Sequence, residues 1–235
     1  MKILALETST EFCSVALYLD DKILTQEILA ERRHSEIVLP MVQEILADAE
    51  LTLAQLDGIA FGAGPGSFTG LRIACGVAQG LAFATNLPIV GVSTLEAIAQ
   101  QTGEQKIIAA LDARMGEIYH AAYQRLAQHC WQAISPPMLC HPQQAPSVVG
   151  DEWHGCGSGF DAYTQDGRDF IEFTGNADVN QATAIDVLTQ AGLIASTWAG
   201  WVRDGGLYYI ILQFADETRL YSELIQIVDF PEFPV

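Results

Sequence analysis

The stretch LDGIAFGAGPGSFTGLRIACGVAQGLAFA, residues 56–84, carries the pattern from which the fold can be read. The apolar run Leu56–Phe61 predicts a buried strand, the glycine-rich segment Gly62–Ser67 a tight connection, and Phe68–Ala84 a helix. A further apolar run, Pro88–Val92, predicts the strand that follows this helix. A strand, a helix and a second strand in this order predict a right-handed crossover, and therefore a sheet with parallel neighbours.

The residues before this unit predict a meander of three strands followed by a helix. Ile3–Leu6, Ser14–Leu19 and Ile23–Ile28 are short apolar or alternating runs separated by polar turns. Apolar residues at steps of three and four from Ser35 to Ala49 predict a helix with Ser35 as its N-cap.

The same pattern restarts near Gly103. At an offset of 105 residues, Ile3–Glu7 aligns with Ile108–Asp112, and each run is followed by a polar turn and another strand. We therefore expect an internally duplicated α/β fold with a mixed β-sheet and flanking helices in each lobe. The predicted N-terminal lobe covers residues 1–103 and the C-terminal lobe residues 104–235.

Three later segments have weaker patterns. Four prolines predict a loop-rich segment over Ser135–Ser147, because proline cannot donate a ladder hydrogen bond. Ala182–Ala195 has the spacing of a helix, and Leu207–Phe214 reads as a buried strand.

Composition restricts the classes of function. The chain has 235 residues with 29 acidic and 11 basic side chains, a net charge of -18. Tight binding to nucleic acid by the chain alone is not expected, because it has few cations to displace counterions from phosphates. No apolar run is long enough to span a bilayer or to form a signal-peptide core, and the odd number of cysteines has no C-x-x-C spacing. These features predict a cytoplasmic protein with reduced thiols and no membrane contact.

The predicted helix Phe68–Ala84 is apolar on nearly every side, although a helix on a sheet normally keeps one polar face. Small residues recur every four positions in two stripes. The stripes are Gly70, Ala74, Ala78, Ala82 and Gly76, Gly80, Ala84. With the wide apolar surface of the preceding helix, this favours a surface that binds a second protein over coverage within the chain. The predicted contact residues are Ile37, Leu39, Met41, Val42, Ile45, Leu71, Ala74, Ala78 and Ala82.

The glycine-rich segment lacks the lysine of a phosphate-binding P-loop, so its spacing favours a tight structural connection over a phosphate cradle. Ser67 and Ser158 lack the flanking glycines of a nucleophile elbow. Glu7 and Asp112 end the paired strands, where they either face a cleft between the lobes or cap polar turns. Six histidines and cysteines match no standard zinc module, and we expect no metal site. They are His129, Cys130, Cys140, His141, His154 and Cys156.

Several of these motifs resemble the TsaB family, formerly YeaZ, the accessory subunit for threonylcarbamoyl modification of adenosine 37 in tRNA. The resemblance covers residues 1–195, and its most specific segments are Gly64–Arg72 and Asp112–Tyr119. The other matching segments are Ile3–Ser9, Arg33–Glu36, Gly91–Leu95 and Gly157–Phe160.

The resemblance implies an actin-like, hexokinase-like fold of two related lobes and a non-catalytic subunit without a cofactor of its own. It implies binding to the TsaD transferase through the two N-terminal helices, in a complex that includes the TsaE ATPase. Contact with tRNA is expected only within that complex, and a homodimer through the same helices is expected when the chain is alone. The active paralogue holds its metal with two histidines four residues apart, whereas here Val38 stands four residues after His34.

Two other readings remain open. The chain could be an ATPase or a glycoprotease-type hydrolase that acts in the cleft between the lobes. A weaker prediction is that ATP or ADP binds at the subunit interface, held by Gly64, Gly66, Ser67 and Arg72. The family's basic C-terminal tail is replaced by an acidic, apolar segment, so no role follows for the residues after Ser196.

Overall fold

The computed structural model describes residues 1–19, 22–127, 130–164, 175–176, 184, 187, 202–204 and 207–209. The described strands are β1 Lys2–Glu7, β2 Phe12–Leu19, β3 Lys22–Leu29, β4 Gly58–Gly64, β5 Ile89–Ser93, β6 Lys106–Arg114, β7 Glu117–Ala127, β8 Cys130–Cys140, β9 His154–Cys156, β10 Gly175–Asn176, β11 Val202–Asp204 and β12 Leu207–Tyr209. The described helices are α1 His34–Asp48, α2 Phe68–Thr85, α3 Thr94–Thr102 and α4 Ser158–Thr164. None of these helices is long and apolar enough to cross a membrane.

The two main sheets share one topology, which confirms the predicted duplication. The first sheet has the strand order β3-β2-β1-β4-β5, and the second has the order β8-β7-β6-β9-β10. In each sheet the meander strands pair antiparallel and the last three strands pair parallel. α2 connects β4 to β5, as the crossover pattern predicted, and α4 follows β9 at the equivalent place.

The sequence alignment that suggested the duplication is wrong by one residue. Ile3 and Ala5 face the core between the two sheets, as do Ile107 and Ala109. Ile108, which the offset of 105 pairs with Ile3, faces the opposite side, toward α4. Because side chains alternate along a strand, equivalent faces require an even offset, such as 104.

α3 lies between the two sheets and joins the lobes. Leu95 and Ile98 of this helix are fully buried in one cluster with residues from β1, β5, β6 and β7. Ala184 and Val187, the described part of the predicted helix Ala182–Ala195, are helical and buried in the same cluster. The Ala184 backbone N–H donates to the Ser14 hydroxyl at 2.8 Å, which fixes this segment to the first sheet.

Two local predictions need correction, and a third falls only partly within the described residues. Arg33, not Ser35, is the N-cap of α1, and no side chain caps this helix end. The predicted loop over Ser135–Ser147 is a strand as far as Cys140, because Pro136 and Pro137 lie in an edge strand with an irregular register, where a missing N–H is tolerated. Of the predicted strand Leu207–Phe214, residues 207–209 are described and pair with β11.

Candidate functional site

Two loops at the carboxyl ends of β1 and β4 pack directly against each other. The Ser67 N–H donates to the Ser9 carbonyl oxygen at 2.7 Å, and the Thr8 hydroxyl donates to the Gly70 carbonyl oxygen at 2.7 Å. A Cβ atom on Gly66 would lie 2.7 Å from the Ser9 Cβ, and one on Gly70 would overlap the Thr8 carbonyl oxygen. The glycines therefore allow two backbone segments to touch, which is the structural connection that the spacing favoured.

Glu7 ends β1 with its carboxylate turned back on its own turn. The side chain is 1% exposed, and Oε1 accepts a 2.6 Å hydrogen bond from the Ser9 N–H. A Cβ atom on Gly62 would overlap this carboxylate, so the absence of a side chain at Gly62 makes room for it. Burial, and secondarily the Glu7 charge, raise the pKa of the Cys13 thiol to about 12, which keeps this thiol protonated at neutral pH.

Asp112 caps the turn that follows β6, which is one of the two roles that the sequence left open. Its Oδ1 accepts hydrogen bonds from the Arg114 N–H at 2.8 Å and from the Tyr163 hydroxyl at 3.2 Å. Its Oδ2 accepts from Arg114 Nη1 at 3.0 Å. Tyr163 belongs to α4, whereas Glu7 shares the face of β1 that bears Ile3 and Ala5. The two carboxylates therefore point to different sides of their sheets and do not form one acid pair.

The residues predicted to hold a nucleotide lie at the start of α2. The Ser67 hydroxyl accepts a 3.3 Å hydrogen bond from the Gly70 N–H and caps the helix. The Arg72 guanidinium lies 3.9 Å from the centre of the Phe68 ring, on the same exposed helix surface. Gly64 has a φ of 98°, a backbone conformation that glycine adopts readily.

The two stripes of small residues on α2 have different environments. Ala74, Ala78 and Ala82 are at most 4% exposed and pack on the first sheet. Gly76 and Gly80 face open space, since a Cβ atom on either would meet nothing within 4 Å. Phe68 and Phe83, at the two ends of this open side, are 67% and 81% exposed. We call Phe68, Arg72, Gly76, Gly80 and Phe83 the open face of α2.

This arrangement corrects six of the nine predicted contact residues. Their side chains lie in the chain's own core and cannot touch a partner; they are Met41, Val42, Ile45, Ala74, Ala78 and Ala82. Leu39 is 44% exposed, and Ile37 and Leu71 are partly buried, so these three remain within reach. On α2 the physical reason is that both stripes are small enough for close packing, and the stripe of alanines packs on the sheet of the same chain.

The histidines and cysteines considered as metal ligands have other environments. His141 Nδ1 lies 3.0 Å from the Gly116 carbonyl oxygen, and His154 lies 3.8 Å from a carboxylate oxygen of Glu104. Cys140 and Cys156 are buried among apolar side chains. Over the described part of the chain, no three metal-binding side chains come together. His129 lies outside the described residues.

Together, the duplicated sheets and the helices around them define an actin-like protein whose first strand-end loops are filled by the chain's own residues. The family described as "TsaD: tRNA N6-adenosine threonylcarbamoyltransferase" matches residues 20–149. The "tRNA threonylcarbamoyladenosine biosynthesis protein TsaB" of Escherichia coli (strain K12) is 42% identical over 178 residues, which cover 72% of this chain and 76% of that protein.

The protein of the same name in Haemophilus influenzae is 43% identical over 178 residues, covering 70% of this chain and 75% of the relative. The solved structure "YeaZ from Pseudomonas aeruginosa" superposes with a TM-score of 0.76 at 37% identity and covers 83% of this chain and 92% of its own. The chain belongs to the TsaB family.

Proposed function

We propose that this chain is a non-catalytic subunit that binds the TsaD transferase and, with the TsaE ATPase, supports threonylcarbamoyl transfer to adenosine 37 of tRNA. The names of the bacterial relatives support the pathway, since both are tRNA threonylcarbamoyladenosine biosynthesis proteins. The binding role and the choice of surface rest on the geometry of α2.

The open face of α2 is the observation that carries the proposal. Two exposed phenylalanines flank two glycines that leave the helix backbone bare. A partner helix can approach such a surface closely, because no Cβ atom holds it away, and the aromatic rings then supply apolar area at each end. Arg72, stacked on Phe68, is the charged side chain of this face. It can form an ion pair with a carboxylate of the partner at the edge of the face.

The net charge explains why a tRNA-modifying function needs a partner. A chain with a charge of -18 repels the phosphate backbone, so the cations that bind tRNA have to come from the other subunits. Within the proposed complex, this subunit contributes surface that organises the transferase rather than groups that touch RNA.

The rival function, an ATPase or a hydrolase, has less support from the described residues. The loops at the carboxyl ends of β1 and β4 form hydrogen bonds with each other, and Glu7 occupies the space beside Gly62. Ser67 caps α2, and Ser158 accepts a 3.2 Å hydrogen bond from the Asp112 N–H. In the described part of the chain neither serine hydrogen-bonds to a histidine, so no base is placed to activate a nucleophile.

Gly80→Arg tests the proposal, with Gly80→Ala as its matched control. Both substitutions fit open space and raise helix propensity, so both variants are expected to fold. Only arginine places a bulky charge where a partner helix would lie. We expect Gly80→Arg to lose co-purification with TsaD and to reduce threonylcarbamoyl transfer in the reconstituted system at least tenfold, while Gly80→Ala keeps both. Undiminished binding of Gly80→Arg would overturn the proposed surface, and rapid nucleotide turnover by the isolated chain would favour the enzyme.

A further inference from the structure

The imidazole ring of His120 lies buried in the second sheet without a hydrogen-bond partner. The ring is fully buried, and among the described residues neither ring nitrogen has a partner. His120 pairs with Ala110 of β6, which belongs to the apolar cluster between this sheet and α4. Buried polar groups normally have partners, and an apolar side chain here would avoid the desolvation of two nitrogens. The unpartnered imidazole therefore points to a ligand from outside the chain.

Two sulfur-containing side chains of β8 share the face on which His120 lies. Met138 pairs directly with His120 in the register of β7 and β8, and Cys140 pairs with Ile118, two residues further along. Directly opposite residues lie on one face of a sheet, and so do residues two positions apart on one strand. Cys140 is a free thiol and is buried in the same apolar cluster. An imidazole, a thioether and a thiol therefore come together on the α4 side of the sheet.

The spacing of these three residues suits a shared ion. Opposite residues such as His120 and Met138 have Cα atoms about 4.5–5.5 Å apart. The diagonal pair His120 and Cys140 is separated by about 7–8 Å, and Met138 and Cys140 by roughly 6.5 Å along the strand. We propose that His120, Met138 and Cys140 bind one Cu(I) ion through an imidazole nitrogen, the thioether sulfur and the thiolate sulfur.

The ligand types select this ion. Thiolate and thioether sulfur are soft ligands that favour Cu(I), and imidazole also suits copper. A structural zinc site takes four nitrogen, sulfur or carboxylate ligands. In the described residues no three histidine, cysteine or carboxylate side chains come together, so a thioether has to complete this set. Two sulfur atoms and one nitrogen therefore favour a soft ion of low coordination number over zinc.

The charge of the complex also favours a monovalent ion. One thiolate and one Cu(I) ion together have no net charge, which suits the apolar surroundings, whereas a divalent ion would leave a positive charge buried. On binding, the Cys140 thiol releases its proton to solvent and its sulfur forms the bond to the ion. Copper keeps its oxidation state in this step, so no oxidant or reductant is consumed.

Met138 gives the ion a route from solvent. Its side chain is 39% exposed, whereas His120 and Cys140 are buried behind it. The unbranched methionine side chain has three rotatable bonds and can move with the ion. The register of β7 and β8 also shifts between His120 and Ala122. Such irregularities are common beside functional sites, where they redirect side chains.

An anaerobic competition titration with the Cu(I) chelator bathocuproine disulfonate tests the site in the full chain. We expect one Cu(I) ion per chain and at least tenfold weaker binding in His120→Leu, Met138→Leu and Cys140→Ala. The matched controls are Met115→Leu, at a methionine that is 94% exposed, and Cys75→Ala, at a partly buried thiol, and both should keep the wild-type affinity. The proposal is overturned if the chain fails to compete for copper, if the three variants bind as tightly as the wild type, or if Cys75→Ala removes the binding.

Two further measurements separate loss of the ligands from loss of the fold. Thermal unfolding without copper shows whether each variant folds, and added Cu(I) should raise the unfolding temperature of the wild-type chain and of both controls but not of folded Cys140→Ala. X-ray absorption at the copper edge should show two sulfur atoms and one nitrogen, with the nitrogen lost in His120→Leu. Copper bound by sulfur alone in the wild-type chain, or Zn(II) bound as tightly as Cu(I), would contradict the assigned site. Because the site lies on the second sheet, Gly80→Arg should bind copper normally whether or not the proposed binding to TsaD is correct.

Discussion

The Thr8 hydroxyl donates a 2.7 Å hydrogen bond to the Gly70 carbonyl oxygen, while the Thr8 carbonyl oxygen occupies the place where a Gly70 side chain would begin. This double contact holds the first turn of α2 against the end of β1. The helix that presents the proposed partner surface is therefore positioned by the loop that follows β1.

Gly70→Ala should destabilise the chain by more than about 2 kcal/mol, because the new Cβ would overlap backbone that has no flexible side chain to move. Chemical denaturation measures this change. Gly76→Ala, in the same helix, is the control: its Cβ meets nothing within 4 Å, so it should stabilise by roughly 0.5–1 kcal/mol through helix propensity. Equal effects of the two substitutions would show that the Thr8 contact is not tight in solution.

ADP should bind measurably only when the transferase is present. The chain's own N–H groups near the glycine-rich loop are largely engaged, since the Ser67 N–H bonds Ser9 and the Gly70 N–H bonds Ser67. Arg72 remains exposed at the rim of the open face of α2. In calorimetric titrations we expect no heat from the chain alone and about tenfold weaker ADP binding by an Arg72→Ala complex. Equally tight binding by the isolated chain would contradict this prediction.

The order of strands and helices could be predicted from sequence because each element has a clear period. The apolar runs, the glycine-rich turn and the crossover helix lead directly to the first sheet. The orientation of α2 could not be predicted in the same way. Its stripes Ala74–Ala82 and Gly76–Ala84 are both small and apolar, so periodicity alone does not show which stripe the sheet covers. The glycines give a signal in hindsight, since alanine fills space against a sheet and glycine leaves it empty.

The one-residue error in the duplication has a similar cause. Ile3–Leu6 and Ile107–Leu111 are apolar at every position, because each strand is buried on both faces. Without alternation, sequence similarity cannot distinguish an offset of 105 from an even one. Edge strands differ in this respect, and the strand at Pro136 was missed because its prolines, which would exclude a central strand, are compatible with an edge.

Glu96, in the first turn of α3 between the lobes, should make the chain less stable as the pH rises. Burial raises the pKa of this carboxyl from 4.5 to about 7. The folded chain therefore holds a proton that the unfolded chain releases, and the contribution of Glu96 to the free energy of unfolding falls between about pH 4.5 and 7. Glu96→Gln should remove this loss and stabilise the chain by roughly 1–3 kcal/mol at pH 8. Thermal unfolding across this pH range measures the effect, with the exposed Glu44→Gln as a control that should leave the profile unchanged.

His120 should give the opposite pH dependence. Its ring is fully buried on β7, opposite Ala110 and Met138, and neither ring nitrogen has a hydrogen-bond partner among the described residues. Burial lowers the pKa of this imidazole from 6.5 to about 4, so the unfolded chain binds a proton that the folded chain does not. This residue's contribution to stability is therefore lost as the pH falls from about 6.5 to 4.

His120→Leu should remove this contribution and leave stability at pH 7 unchanged or higher, because it removes two buried polar atoms at similar volume. In the wild-type chain the Glu96 and His120 contributions oppose each other between about pH 4.5 and 6.5, so its profile should be nearly flat there. His120→Leu should then reveal the rise in stability toward acid that Glu96 produces, and a His120→Leu, Glu96→Gln double variant should be flat again. Unfolding measured at several pH values tests this, with the exposed His141→Leu as control. If His120→Leu kept the wild-type profile, the proposed effect of burying His120 would be wrong.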